Sequence, residues 1–130
     1  MITQDWFMRQ IEIMGRAIAK LIFNKNTTEY VIVDYQHMKA TDLIHNQLLS
    51  LIDEGKLNEA ENLLFEKIHA EIEDGDARKD YLEVAIDFYA RLNGLSDKIL
   101  DDCGFEREEI DEGIREAAEI YGININFDIV

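Results

Sequence analysis

LIDEGKLNEAENLLFEKI, residues 51–68, is the stretch on which the fold class turns. Leu51 and Ile52 close one helical stripe, Glu54, Gly55 and Lys56 supply a turn, and Leu57, Ala60, Leu64 and Ile68 open a second stripe at intervals of three and four. Two helices meeting at a glycine stop follow from that pattern. Working outward, Thr41 is placed to cap a helix over 42–54, and Asn58 to cap one running to about Glu73.

The same grammar covers most of the chain. A first helix is expected over 4–23 behind Thr3, a fourth over 80–93, a short fifth from Ser96 to about Cys103, and a sixth over 107–121 ended by Gly122. Between the first and second helices, NKNTTEYVIVDYQ reads as a polar turn followed by extended chain, because Val31, Ile32 and Val33 are β-branched. EDGDARKD is the longest expected loop. The tail, 123–130, alternates Ile123, Ile125, Phe127 and Ile129 with polar residues, a period of two that suits an extended arm docked on the body or pairing with Tyr30–Val33. The expected architecture is all-α: a single domain over 1–130, a compact bundle of about six helices with an extended C-terminal tail. Its parts are an apolar N-terminal helix (1–24), an irregular segment (25–40), helical hairpins (41–122) and the tail.

Composition agrees with that reading. The chain has 130 residues, 47% of them apolar and 32% charged, with seven glycines and no proline. That length suits one domain with its own core. The formal net charge is −15, from 28 acids against 13 bases. Such a balance argues against a nucleic-acid partner, whose phosphates are held chiefly by Lys and Arg. A lone Cys103 makes no intramolecular disulfide and fits a reducing cytoplasm. At the N-terminus, Asp5, Arg9, Glu12, Arg16 and Lys20 interrupt the apolar run every three or four residues, so neither a signal peptide nor a membrane span is expected.

Helical faces predict the packing. In the sixth helix Ile110, Ile114, Ala117 and Tyr121 form one stripe, while Glu106, Glu108, Glu109, Asp111, Glu112, Glu116 and Glu119 crowd the other sides. The fourth is apolar nearly all round, with Glu83, Asp87 and Arg91 as its consistent polar line. It and the first helix therefore belong at the centre of the bundle, or one of their faces meets another chain.

EGKLNEAENLLFEKI resembles the central half of a tetratricopeptide unit, and AIDFYARLNGLSDKIL repeats the plan in part. Three or more stacked units would make a solenoid. This chain reads instead as a bundle with a tetratricopeptide-like helix-turn-helix core. Taken together, QDWFMRQIEIMGRAIAKLIF, LLSLIDEGKLNEAENLLFE, LEVAIDFYARLNGLSD and GFEREEIDEGIREAAEIYGI resemble a family of small bacterial all-helical proteins defined only as a domain of unknown function. The resemblance implies the helical architecture and carries no activity. In that family a serine commonly precedes REEI; here Glu106 holds the position.

The histidines are the candidates for chemistry, since Asp34, Asp42 and Glu66 each stand three places before His37, His45 and His69. Di-iron bundles use Glu-x-x-His on facing helices. Here the faces diverge: Glu66 and His69 point away from the stripe of the third helix, while His45 sits beside Ile44, Leu48, Leu51 and Ile52. No phosphate loop, Cys-x-x-Cys or His-Glu-x-x-His occurs. No catalytic residue, metal ligand or cofactor is therefore assigned.

The favoured reading is a non-catalytic helical module that binds a partner protein or itself, because apolar helix surface exceeds what a small bundle needs. Trp6, Phe7 and Ile11, or Tyr81, Phe88 and Tyr89, are its candidate interface anchors, since aromatic anchors dominate interface energetics; both clusters also read as plain core, which is the favoured reading for Phe88 and Tyr89. A small enzyme or metal-binding bundle is the alternative the histidines offer. Peripheral membrane association through the first helix is another, weakened by how few bases that helix carries.

Overall fold

The computed structural model describes residues 3–75 and 78–124. Six helices appear in the order α1 (Gln4–Phe23), α2 (Ala40–Asp53), α3 (Leu57–Glu73), α4 (Asp80–Asn93), α5 (Asp97–Asp102) and α6 (Arg107–Ile120), with no strand among the described residues. Thr3 caps α1, its hydroxyl accepting from the Trp6 amide at 3.2 Å, and Ser96 caps α5 through the Ile99 amide, also at 3.2 Å. Both caps satisfy amides that the first helical turn leaves without partners.

Two other starts differ from expectation. Helix α2 begins at Ala40, not after Thr41, because the Asp42 carboxylate takes the Lys39 amide at 2.8 Å while the Thr41 hydroxyl is engaged by Tyr30. Helix α3 begins at Leu57, and the Asn58 side chain donates to the Gly104 carbonyl at 3.4 Å instead of capping. Where a hydroxyl was in question at Glu106, the start of α6 is held by the Glu109 carboxylate, which accepts the Glu106 amide at 2.8 Å.

Helix α4 is the axis of the bundle, in contact with α1, α2, α3 and α6. Its all-round apolarity has that cause: Leu82, Val84, Ala85, Ile86, Phe88, Tyr89 and Leu92 are all buried. Helix α1 lies on α4 and α6, burying Ile11, Met14, Ile18 and Ala19 while Met8, Leu21 and Ile22 face outward. The α2–α3 pair closes through the Gly55 turn, where the Lys56 amide reaches the Leu51 carbonyl at 2.8 Å. Gly55 sits at φ +75, a conformation that glycine adopts without steric cost.

The stripe of Leu57, Ala60, Leu64 and Ile68 is fully buried, as its spacing requires. Helix α6 buries Ile110, Ile114 and Ala117, yet Asp111, expected on its solvated side, is also buried and pairs with Arg115 at 3.1 Å. Ile123 packs against the core. The expected arm from 125 to 130, and any pairing it makes, lies outside the described residues.

Candidate interaction surface

Residues 25–39 cross the bundle between α1 and α2 without helix. Asn24, at φ 52, ends α1 in the left-handed region, and the Lys25 amide then bonds the Ala19 carbonyl at 2.9 Å. Burial alternates beyond this point: Tyr30 and Ile32 are buried, whereas Val31 is 61% and Val33 88% exposed. A period of two is the mark of extended chain lying on a surface. Asp34 then bends the chain, accepting the Gln36 amide on its side chain at 2.9 Å. Tyr35 is 73% exposed on that bend.

Tyr30 anchors the segment. Its amide donates to Asp87 Oδ2 at 2.9 Å, its hydroxyl donates to Asp42 Oδ1 at 2.5 Å and also bonds Thr41 Oγ1 at 3.0 Å, and its ring packs 4.7 Å from that of His45. Burial, with Asp42 beside the phenol, holds its pKa well above the usual range, so the hydroxyl stays a donor. Asp87 also takes Nε2 of His45 at 3.0 Å and Nε of Arg91 at 2.6 Å. Burial pushes the Asp87 carboxyl up, but His45, Arg91 and the Tyr30 amide outweigh it and leave the pKa below the ordinary value. One carboxylate thus ties the irregular segment to α2 and α4. The Nδ1 atom of His45 is buried without a hydrogen-bond partner among the described residues.

The expected anchors fall differently. Ile11, Phe88 and Tyr89 lie in the core, each at most 1% exposed, because neighbouring helices cover α4 on several sides and α1 on its inner face. Trp6 and Phe7 are half-buried and pack edge to face at 5.1 Å. Tyr81 is half-buried at the start of α4, where its amide donates to Glu71 of α3 at 3.3 Å. That carboxylate also accepts the Tyr121 hydroxyl.

Of the three acid–histidine pairs, only Asp34 and His37 meet in an ion-pair geometry, at 2.9 Å on the surface. His45 is buried and bonds Asp87, far along the sequence, while His69 is exposed on α3. Among the described residues no three His, Cys, Asp or Glu side chains gather in a metal-binding arrangement. Nor is any described helix long and apolar enough to cross a membrane.

A second buried charge lies at the junction of α4, α5 and α6. Arg107 donates to the Asn93 carbonyl at 2.7 Å and Oδ1 at 3.0 Å, to the Leu95 carbonyl at 2.8 Å, and to Asp97 Oδ1 from Nη2 at 2.8 Å and Nε at 3.3 Å. All five guanidinium donors are thereby used. An arginine so saturated is a clamp on the helix junction. In the sequence it looked like one base on an acidic helix, and nothing in its spacing distinguished it.

Against this geometry, the model of the family of unknown function DUF6483 matches residues 1–122. The chain belongs to that family. Comparison of this DUF6483 member with curated proteins and with solved structures gives no match.

Proposed function

We propose that this DUF6483 protein is a non-catalytic helical module that binds a partner protein or a second copy of itself. The observation that carries the reading is the row Val31, Val33 and Tyr35, large apolar side chains held in the open on a segment whose inward residues are locked to α2 and α4. Buried anchors beneath an exposed apolar row make a preformed surface, and preformed surfaces lose little entropy on binding. The tetratricopeptide-like sequence of the α2–α3 hairpin supports the same reading, with the hairpin as scaffold. The net charge of −15 favours a basic partner.

The test is sedimentation of the full-length chain over a wide concentration range, joined to cross-linked capture from its native host and reconstitution with each purified candidate. Concentration-dependent association, or a stoichiometric complex that reforms from pure components, is the expected result. A strictly monomeric chain that reconstitutes with nothing overturns the proposal.

A further inference from the structure

We infer that the outward edge of residues 29–33, up to the bend at Asp34, receives an extended, basic segment of a partner protein, added alongside it as a strand; the inference rests on the interaction reading above. The backbone argues first. Along extended chain, successive amides and carbonyls point to opposite sides. The Tyr30 amide points to Asp87 on α4, so the polar groups of Val31 and Val33 point away from the body. Among the described residues those two make no hydrogen bond through their backbones. An edge that has apolar side chains and open amides and carbonyls is what strand addition uses: the main chain supplies the bonds and alternate side chains supply the choice of partner.

Charge then selects the occupant. Exposed carboxylates flank the apolar pair: Glu29 on one side, and on the other Asp34, which also holds His37 Nδ1 and the Gln36 amide, each at 2.9 Å. Lys25, the nearest base on the N-terminal side, is occupied by the Glu29 carbonyl and by Glu83, its ammonium 3.4 Å from the latter carboxylate. A second copy would bring its own Glu29 and Asp34 and a further charge of −15. The complementary strand has apolar residues at alternate positions between lysines or arginines.

The probe is a synthetic nonapeptide with valines at alternating central positions and two lysines at each end, titrated into the isotopically labelled full-length chain and followed by NMR. A control peptide carries glutamates in place of the lysines. The expected result is that the Val31 and Val33 amide signals shift and exchange more slowly with solvent. Affinity should exceed that of the glutamate peptide by about tenfold or more at low salt, converge toward it as salt screens the charges, and be lost in V31S/V33S.

Equal binding of both peptides, shifts confined to other residues, or no shift at millimolar peptide overturns the inference. So does concentration-dependent self-association that V31S/V33S abolishes, which would give the edge to a second copy. A reconstituted partner that binds V31S/V33S as tightly as the unaltered chain sinks the edge assignment and leaves the module reading standing. A chain that neither associates nor reconstitutes sinks both.

Discussion

Gly113 of α6 faces the hydroxyl end of Tyr89 so closely that a β-carbon there would overlap the ring, with Cε1 at 2.7 Å. Tyr89 cannot yield, since it is fully buried at the centre of the bundle and its hydroxyl is held by Glu61 Oε2 at 2.7 Å. Gly113→Ala is therefore expected to destabilise the fold by about 1–3 kcal/mol, the usual cost of overpacking, measured by urea denaturation. Tyr89→Phe in the same chain should recover only part of that loss, because the ring carbons would still crowd the new methyl. Full additivity of the two changes would contradict the contact.

Arg107 tests a buried charge satisfied mainly by carbonyls. Its side chain is 1% exposed, whereas that of Asp97, its carboxylate partner, is 64% exposed. Arg107→Ala should cost about 3–5 kcal/mol, since the α4–α5 junction loses every donor at once. Asp97→Asn should cost about 1 kcal/mol or less, as an exposed ion pair contributes little. Comparable losses from both would mean that the ion pair, not the carbonyl cage, holds the junction.

Glu61 should respond to pH in the opposite sense from Asp42 and Asp87, whose carboxyls lie below the ordinary value. Burial raises its pKa, and the charges of Glu109, Glu116 and Glu112 add to the effect, against the lowering bond from Tyr89. The folded state thus holds this proton more tightly than the unfolded one, so stability falls as pH rises through the window between the unfolded and folded values. Glu61→Gln keeps an acceptor for Tyr89 and removes the charge. Its melting temperature should exceed that of the unaltered protein at pH 7, and the gap should close toward about pH 4, where glutamate ordinarily protonates. A gap that widens on acidification would refute the assignment.

Asp87 carries the opposite sign. Its pKa lies below the ordinary value, so its contribution is complete above about pH 4, the usual aspartate value, and is lost as pH falls through the folded value. Asp87→Ala should cost about 3 kcal/mol at pH 7, leaving His45, Arg91 and the Tyr30 amide without their acceptor. Acid unfolding of the variant should show a shallower dependence on pH. Hydrogen exchange should also accelerate at Tyr30 in the variant; unchanged exchange there would mean that Asp87 does not tether the segment.

Local pattern was enough to read most of the helices, because each turn carries its own signal. Thr3 and Ser96 cap where their hydroxyls were expected to, and Gly55 ends its helix in the left-handed conformation. The starts of α2 and α3 shifted by a residue or two where a tertiary partner claimed the expected cap. Thr41 went to Tyr30, and Asn58 to Gly104.

The candidate site was less legible. The β-branched run was visible, but whether Val31 or Ile32 would face outward depended on Asp87 reaching across from α4. Phe88 and Tyr89 read as core before interface, but an aromatic residue on an apolar helix serves either purpose, and only their burial decides it.

By itself, then, the sequence determined six helices, their apolar stripes, the glycine turn between α2 and α3, and an irregular crossing at 25–40, all consequences of periodicity and capping within a few residues. Only the tertiary structure decided which apolar faces were core, which segment stayed open, and that Asp87 and Arg107 would be buried with their partners. Those outcomes depend on contacts between residues far apart in the chain, such as His45 with Asp87 and Tyr30 with Asp87. The energy of a buried charge is set by the groups that surround it in space, and no local spacing encodes them.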